Sequence, residues 1–397
     1  MRNASIPSRR AALLAARAVS ALALAAAVLA PASATVPGCA GKKECNIQPA
    51  KVSEDPALPD YKPTPGMSGE ISIFGSMMGG QVDAWIEAFK AYQPGIAFKT
   101  KFPSSDGAAA GLISGVADIG SAGREAMLSE HLAFAETFLY DLYEATVATG
   151  SYNIRGRTPS VVIYVNKDNP IDKLTVDQLD GIFGSERSGA YEGYYWRSNR
   201  GRGPEKDIRS WGQLGLGGAW ASQPIRTHGY ALTGMTEFFN RTVFKGGDKW
   251  NPNYQEHVES FTKMVPNGDF GLGASQYMME QIVKDRYAIG WSFIPQQDRM
   301  RSGEVKQVAI GTSPAGPFYL PTLENSLSRK YPLTRSVFFY LKKDPKTGLK
   351  PEVAEFMRFI YSRQGQAAVA KLGVYLPLPA QTAAQQFAAS EAQVAAR

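Results

Sequence analysis

The sequence predicts an α/β protein with two lobes. The chain has 397 residues, more than one small hydrophobic core usually fills, so two lobes or domains are expected. Short β-branched or apolar runs alternate with segments of helical period, and the connections between them are short, which is typical of a largely parallel sheet. Hydrophobic residues make up 44% and charged residues 20% of the chain, which is the composition of a globular protein.

The first lobe is predicted from residue 70 onward. An alternating run at 71–74 predicts a strand, and Val82, Trp85, Ile86 and Phe89 then recur at helical spacing. The following segments repeat the pattern with strands at 96–100 and 116–120, a helix that the turn at 104–107 caps and that runs to 113, and a helix from 124 to about 137.

The second half continues in the same way. The run 160–165 predicts a β-strand, and Thr175 is the expected N-cap of the next helix. The remaining predicted elements are a capped helix start at 233–239, strands at 287–292 and 335–341, an amphipathic helix at 353–360 and a loose final helix after Pro379.

Residues 1–34 have the pattern of a cleavable export signal. Three arginines precede an apolar Ala/Leu run at 11–30, and residues 32–34 end in the small-x-small pattern that a signal peptidase needs. The alternative is a transmembrane anchor, although Arg17 splits the run and alanine drives insertion weakly. We expect a mature protein that begins at Thr35 and works in the periplasm without stable membrane insertion.

The charge of the mature chain argues against nucleic acid as a partner. The formal charge is +7 for the whole sequence, but the predicted signal carries four arginines and no acid. The mature balance of +3 is small, and no basic block is present.

The few cysteines and histidines limit the metal chemistry. Cys39 and Cys45 lie close together near the predicted mature N-terminus, so a local disulfide is expected in an oxidising compartment, with lipidation at Cys39 as the alternative. His131, His228 and His257 are far apart in sequence and lack ligand spacing, which argues against a zinc site. No cofactor is expected.

Three segments depart from the α/β pattern. Residues 35–68 are rich in proline and lysine and predict a tether or a wrapped arm, while 381–397 form a tail. Residues 184–206 combine tyrosines, tryptophan, arginines and many glycines, which predicts an insertion loop. Arginine with aromatics can bind single-stranded nucleic acid, but a surface excursion that packs on its own aromatics is the simpler interpretation.

Three predicted strand-to-helix junctions place a hydroxyl residue beside glycine, at 75–76, 104–107 and 233–234. A helix N-terminus offers free N–H groups and a partial positive charge, and glycine lets the backbone approach a ligand. The three junctions together therefore suggest a site for a dehydrated oxyanion, although each cap alone is common.

Motifs of the main enzyme classes are missing from the sequence. There is no Gly-x-Ser-x-Gly elbow, no Gly-x-x-x-x-Gly-Lys-Ser/Thr loop and no informative spacing of Ser, His and Asp. Glu136, Asp141 and Glu144 are interpreted as a solvated face rather than an acid cluster. The protein is therefore not expected to be an enzyme.

A series of motifs carries a family resemblance. In chain order they are ISIFGS at 71–76, SGVADIG at 114–120 followed by Arg124, NKDNP at 166–170, LDGIFG at 179–184, WGQL at 211–214, YPLTR at 331–335, GQ at 365–366 and GVYLPLP at 373–379. With these motifs the chain from about 69 to 379 resembles the periplasmic phosphate-binding proteins of ABC transporters (the PstS family), within the type 2 periplasmic binding protein fold.

The resemblance implies two lobes with a ligand cleft between them, joined by two crossover strands near 161–165 and 335–339. Lobe 1 would comprise 69–160 and 333–380, and lobe 2 would comprise 161–332 with its insertion. Binding would close the lobes. The implied ligand residues are Ser76, Met77, Ser104, Ser105, Gly107, Arg124, Thr233, Gly234 and Met235.

The ligand loops depart from the family pattern. Met77 and Met78 follow Ser76 where the family has a hydroxyl residue, Gly123 stands where Ser or Asp is common, and Gly229 stands at the position of an arginine. Because an arginine–phosphate pair is charge-assisted, a replacement charge is expected, and the possible replacements are Arg226 and His228.

Three methionines bear on the class of ligand. If the cleft is lined by Met77, Met78 and Met235, it would favour a larger, partly organic ligand. The alternative is that these methionines pack in the lobe cores.

The function predicted from the resemblance is that of an exported solute-binding protein that captures phosphate or a related oxyanion for an ABC permease, as a monomer. The alternative is a divergent binding protein that senses another ligand, or none, and docks on a receptor or secretion component. Hydrolase activity is a third class.

Overall fold

The computed structural model describes residues 50–152, 154, 157–231, 234, 236–258, 273–293 and 303–391. The predicted export signal and the predicted Cys39–Cys45 disulfide lie outside the described residues, as do Thr233 and Met235. Among the residues that are described, no helix has both the length and the apolar character needed to cross a membrane.

Strands and helices alternate along the chain. The strands are β1 (Gly69–Gly75), β2 (Ile96–Lys101), β3 (Ile119–Ala122), β4 (Tyr143–Thr149), β5 (Val161–Asn166), β6 (Lys173–Thr175), β7 (Ala190–Glu192), β8 (Tyr195–Arg197), β9 (Arg226–Tyr230), β10 (Gln255–His257), β11 (Ala288–Phe293), β12 (Val305–Gln307), β13 (Ala309–Gly311), β14 (Phe318–Tyr319) and β15 (Ser336–Leu341). The α-helices are α1 (Gln81–Lys90), α2 (Gly107–Ile113), α3 (Leu128–Phe138), α4 (Val176–Phe183), α5 (Glu237–Thr242), α6 (Gly273–Lys284), α7 (Leu323–Leu327), α8 (Pro351–Ile360), α9 (Arg363–Leu372) and α10 (Ala380–Glu391).

Lobe 1 is the sheet β2–β1–β3–β15–β4 with the helices packed on it. β1, β2 and β3 are parallel, and β15 runs antiparallel to both of its neighbours. The fully buried β15 serves two cores at once, because Val337 and Phe339 pack on one face of the sheet and Phe338 and Tyr340 on the other.

Lobe 2 is the sheet β10–β9–β11–β5–β12, with the smaller sheet β14–β13–β6 beside it. β9 is parallel to β10 and β11, and β5 is antiparallel to β11. One large core covers this lobe, with Phe183, Phe239 and Trp291 among its fully buried rings. The two sheets and their separate cores confirm the predicted α/β fold with two lobes.

Two neighbouring connections join the lobes, at 150–160 and 328–335. The N–H of Gly150 donates to the Arg335 carbonyl at 2.9 Å, and the N–H of Val161 donates to the Leu333 carbonyl at 3.1 Å. The crossings thus fall a few residues before the expected positions, since β5 lies wholly in one sheet and β15 wholly in the other. A Cβ at Gly150 would lie 2.0 Å from the Thr158 carbonyl oxygen, so only glycine permits this close approach.

The described part of the N-terminal arm is wrapped on lobe 1. Leu58 and Tyr61 are buried there, and the Tyr61 hydroxyl donates to Glu355 of α8 at 2.5 Å. Burial raises the pKa of Glu355, but the hydrogen bonds from Tyr61 and Thr64 outweigh it and the pKa is lowered. Of the two predicted forms, tether or wrapped arm, residues 50–68 have the second.

The predicted insertion forms the hairpin β7–β8, which packs on its own aromatics as expected. Tyr191 meets Trp196 edge to face at 5.1 Å between ring centroids, and Tyr194 stacks on Tyr195 at 4.2 Å. Asp180, a buried carboxylate of α4, holds the base of the hairpin through Arg187 and Arg202.

Three helices begin later than the sequence predicts, among them α3, which begins at Leu128 and not at 124. The predicted cap at Ser76 is wrong for α1, because Met78, Gly79 and Gly80 all have positive φ and keep the chain out of a regular helix until Gln81. Ser76 instead accepts a hydrogen bond from the Met78 N–H at 3.2 Å. Likewise α5 begins at Glu237, not beside Gly234.

Candidate functional site

The predicted ligand loops follow the carboxyl ends of β1, β2, β3 and β9, where α/β sheets usually bind ligands. The loop after β1 is bonded to the last residues of β3. The N–H of Ser76 donates to the Ser121 carbonyl at 2.7 Å, and the Ser121 hydroxyl donates to the Ser76 carbonyl at 2.7 Å. Ser76 is therefore held at the end of β3.

Gly123 is the meeting point of three segments. Its N–H donates to the Ser105 hydroxyl at 3.1 Å, and its carbonyl accepts from the Thr158 hydroxyl at 2.7 Å. A Cβ at Gly123 would lie 2.9 Å from Thr158 Oγ1, so the missing side chain makes room for the connection between the lobes. Because the Ser105 hydroxyl accepts in this bond, its proton is not used by Gly123 and could be donated to a ligand.

The first N–H groups of α2 form hydrogen bonds within the turn that precedes the helix. The carbonyl of Ser104 accepts from the Gly107 N–H at 3.2 Å, and the carbonyl of Ser105 accepts from the Ala108 N–H at 3.1 Å. Ser104 is exposed. The Gly107 N–H is thus already bonded within the turn, and the role of Gly107 as a ligand residue stays a prediction.

Arg124 lies at the predicted place, but its guanidinium donors are already bonded within the protein. Its Nε and Nη2 donate to Asp106 Oδ1 at 3.2 and 2.9 Å, and Nη2 and Nη1 donate to the two Glu130 oxygens at 2.9 and 2.7 Å. Nη1 also donates to the Glu125 carbonyl at 2.8 Å. Since a guanidinium has five N–H donors, none is left for a ligand.

Burial alone would lower the pKa of Arg124, but the hydrogen bond with Glu130 and the neighbouring charges raise it above its usual range. Arg124 is thus permanently charged, and two carboxylates neutralise it. The expectation that it carries the charge for an anion is not supported by this arrangement.

Gly234 of lobe 2 lies against the side chain of Arg124 in lobe 1. A Cβ at Gly234 would lie 3.0 Å from both Cδ and Nε of Arg124. Residues of the predicted site from the two lobes are therefore in contact, with Ser105 and Gly123 on one side and Gly234 on the other.

The two described methionines of the first loop point to different places. Met78 is fully buried in the core of lobe 1, whereas the exposed fraction of Met77 is 45%. Met78 therefore packs, as the alternative interpretation held, and Met77 is the one with an accessible thioether.

Neither expected replacement charge fits the cleft. Arg226 begins β9, and the residue at the cleft end of that strand, Tyr230, lies about 13 Å further along. The guanidinium of Arg226 is moreover paired through Nη1 with Asp285 Oδ2 at 2.5 Å. His228 lies mid-strand with only 3% exposed, and burial, reinforced by His257, lowers its pKa to about 4. His228 is neutral at physiological pH and cannot supply a charge.

Gly229 has no space for the arginine of the family pattern. A Cβ there would lie 2.2 Å from both Trp291 Nε1 and the Tyr254 hydroxyl. These two groups are bonded to each other at 3.1 Å, and the Tyr254 hydroxyl donates to the Tyr230 carbonyl at 2.8 Å. The indole and the phenol thus fill the region next to this position.

Arg335 is a cleft residue that the site prediction missed. It is 6% exposed, at the junction of the second connection with β15. Its guanidinium lies 5.8 Å from the Phe238 ring centroid and 5.5 Å from that of Phe293, both in lobe 2. Its Nη2 is 3.5 Å from the Gly123 carbonyl oxygen in lobe 1. The signal available in the sequence was an arginine directly before a wholly apolar strand, in the YPLTR motif.

A second missed feature is an ion pair between the lobes. Arg241 of α5 donates through Nη1 to Glu144 of β4 at 2.7 Å and through Nη2 to the Ala126 carbonyl. His131 Nε2 lies 2.9 Å from Glu144 and 3.1 Å from Arg241 Nη2. The interpretation of Glu144 as part of a solvated face is therefore wrong, since its side chain is 12% exposed. Burial acts to raise the pKa of Glu144, but His131 and Arg241 lower it.

Within the described ranges, no cluster of three or more His, Cys, Asp or Glu side chains could hold a metal ion. The cleft groups are hydroxyls, backbone amides, guanidinium groups and carboxylates, which recognise small polar ligands by hydrogen bonds and charge.

Two α/β lobes, two adjacent connections and polar loops that meet between the lobes define a two-lobed binding protein. A protein-family model described as "PBP superfamily domain" matches residues 76–364. The chain belongs to the PBP superfamily.

Named relatives and solved structures are similar to the chain over most of its length. It is 29% identical over 331 residues to the phosphate-binding protein PstS of Pseudomonas aeruginosa, which covers 83% of this chain and 89% of the relative. It is 24% identical over 230 residues to protein SphX of Synechococcus elongatus, covering 57% of this chain and 56% of that one.

Among solved structures, an ABC-type phosphate transport receptor from Vibrio cholerae superposes with a TM-score of 0.43 and 20% identity, covering 77% of this chain and 99% of the receptor. PstS from Borrelia burgdorferi superposes with a TM-score of 0.46 and 15% identity, covering 78% of this chain and 99% of that one.

Proposed function

We propose that the protein is an exported, periplasmic solute-binding protein that captures phosphate or a related oxyanion for an ABC-type importer, without catalysing a reaction. The proposal keeps the lobe boundaries 69–160, 161–332 and 333–380 and a monomeric state. Family membership supports the class of protein, and the name of the Pseudomonas aeruginosa relative supports the choice of anion.

The observation that carries the proposal is the meeting of both lobes at the polar loops. The Ser105 hydroxyl, bonded to the Gly123 N–H, and Gly234, packed on Arg124, come from opposite sides of the cleft. Hydroxyls and glycine backbone beside a guanidinium–carboxylate network form a small polar site. These groups are the kind that recognise an inorganic or small organic anion by hydrogen bonds and charge.

Isothermal titration of the full exported protein with phosphate, arsenate, sulfate and small carboxylates tests this function. Ser105→Ala removes one hydrogen-bond donor, so phosphate affinity should fall by about two- to tenfold. Ser114→Ala is the matched control, because the exposed Ser114 hydroxyl donates only to α2 carbonyls, that of Ala110 at 2.8 Å and that of Gly111 at 3.4 Å. Absence of heat with all these anions at millimolar concentration would refute the proposal.

A second candidate is the divergent binding protein that senses a different ligand, or none, and docks on a receptor or secretion component. It is favoured by the saturated Arg124 donors and by the lack of space for an arginine at Gly229. A thermal-shift screen separates the two candidates: stabilisation by organic ligands but not by phosphate supports the second.

A further inference from the structure

The buried guanidinium of Arg335 has hydrogen-bonding capacity that the protein does not use. Among the residues that the structure describes, its Nε has no hydrogen-bond partner, and its Nη2 makes a long hydrogen bond of 3.5 Å to the Gly123 carbonyl. The rings of Phe238 and Phe293 hold the group by cation–π contact instead. A buried charge with unmet donors is costly, so this position is unusual for a residue that only stabilises the fold.

The resident counter-ion of Arg335 is Glu125, and their contact is poor. Arg335 Nη2 lies 4.0 Å from Glu125 Oε2, with 6% and 9% of the two side chains exposed. No residue in the described part of the chain forms a hydrogen bond with Glu125 Oε2. Burial raises the pKa of Glu125, and Arg335 offsets this only in part. The pair is therefore buried but lacks the close geometry that stabilises buried ion pairs.

The position of Arg335 links it to the site proposed above. Its Nη2 contacts the carbonyl of Gly123, while the Ser105 hydroxyl contacts the N–H of the same residue. The aromatic rings against it belong to lobe 2, and Phe293 ends β11 at the same edge of the sheet as Tyr230 of β9. Arg335 thus lies between the lobes at the base of the cleft.

We propose that Arg335 is the ligand-binding guanidinium of the cleft and that Glu125 is the counter-ion which a bound anion displaces. This inference rests on the proposed function and names the charge that function needs. The ligand is a small oxyanion with one oxygen at the free Nε of Arg335 and others near the Ser105 hydroxyl. The planar fork of an arginine suits phosphate, sulfate and carboxylate groups alike, so the anion is recognised first by charge.

Arg335 and Glu125 act on affinity in opposite directions, which permits a decisive experiment. Arg335→Met removes a charged donor, and inorganic phosphate should bind about ten- to a hundredfold more weakly by titration calorimetry. Arg335→Lys keeps the charge without the fork and should bind with intermediate affinity. Glu125→Gln removes a negative charge beside the anion, so affinity should rise by about three- to tenfold.

The matched control is Arg226→Met. It makes the same change of charge at a half-exposed arginine that is paired with Asp285 at the far end of β9, and phosphate affinity should be unchanged. A purely structural role for the Arg335–Glu125 pair would weaken binding, or leave it unchanged, in both Arg335→Met and Glu125→Gln. It would not tighten binding in the second.

The outcomes separate the two proposals. If the wild-type protein binds phosphate and Arg335→Met binds it as tightly as Arg226→Met does, Arg335 is not the ligand-binding guanidinium and the proposed function stands. If Arg335→Met does not fold, a failure of Glu125→Gln to raise the affinity overturns the inference. If the wild-type protein binds no anion, both proposals fail.

Discussion

At the scale of single residues, two glycines decide what the cleft can contain. Gly123 and Gly229 replace a side chain that the family pattern would supply, and in both cases neighbouring atoms occupy the space. Thr158 lies against the first, and Trp291 with Tyr254 against the second. A side chain introduced at either glycine would therefore overlap its neighbours. A single substitution could not restore the family pattern at these positions, because the neighbouring side chains would also have to change.

Gly229→Ala should lower the free energy of unfolding by about 1–3 kcal/mol, because the new Cβ would overlap the Trp291–Tyr254 hydrogen bond and force both rings to move. Urea denaturation measures the change. Gly217→Ala is the control, since a Cβ there meets nothing within 4 Å. Equal stability of the two variants would show that the rings relax freely.

The sequence could indicate which residues surround the site but not what each one bonds. Ser105, Gly123, Arg124 and Gly234 are indeed neighbours, as the motifs suggested. The saturation of Arg124 could not be foreseen, because hydrogen-bond partners depend on side-chain conformations that no motif specifies. For the same reason the sequence could not indicate a role for Arg335, because the environment of its Nε depends on the folded structure.

At the scale of elements, the predictions held where hydrophobic period was strong. The helices α1, α4 and α8 and the strands β5 and β15 fall within a few residues of their expected bounds. The loop after β1 was mispredicted because a run of positive φ values at 78–80 is a tertiary feature. The methionine side chain of Met78 is drawn into the lobe 1 core, which outweighs its backbone preference.

The hairpin β7–β8 depends on one buried carboxylate of α4. Asp180 accepts from Arg187 at 2.8 and 2.6 Å and from Arg202 Nε at 3.1 Å. All three side chains are at most 7% exposed. The hairpin is therefore fixed to lobe 2 by a charge network rather than by a large apolar contact.

Asp180→Asn should reduce the free energy of unfolding by about 3–5 kcal/mol, because it removes the buried carboxylate that Arg187 and Arg202 share, although Asp207 still pairs with Arg202. Asp177→Asn, on the same helix, removes an exposed pair with Lys245 and should cost no more than about 1 kcal/mol. Thermal and urea unfolding compare the two variants. Similar stability in both would mean that the network is hydrated and weak.

At the scale of the whole molecule, Arg241 holds the lobes against each other. It bonds Glu144 and Ala126 across the cleft, and the neighbouring Glu237 holds its Nε at 3.0 Å. Gly234 packs on Arg124 beside it. The contacts between lobes thus include a charged bond that does not involve the proposed ligand residues.

Arg241→Met should therefore shift the protein toward a more open arrangement, since it removes the charge-assisted bonds between α5 and β4. Small-angle scattering of the unliganded protein should show a larger radius of gyration than for the wild type. Arg226→Met serves again as the control, with no change expected. An unchanged radius in Arg241→Met would mean that other contacts set the closure.

The paired connections at 150–160 and 328–335 have a consequence for the energetics of closure. Because backbone hydrogen bonds join Gly150 to Arg335 and Val161 to Leu333, sliding or twisting of one lobe past the other would break them, whereas bending about them would not. We therefore expect closure to be mainly a single bending rotation. Restricting a single rotation costs little conformational entropy, so most of the free energy of the ligand contacts is retained as affinity.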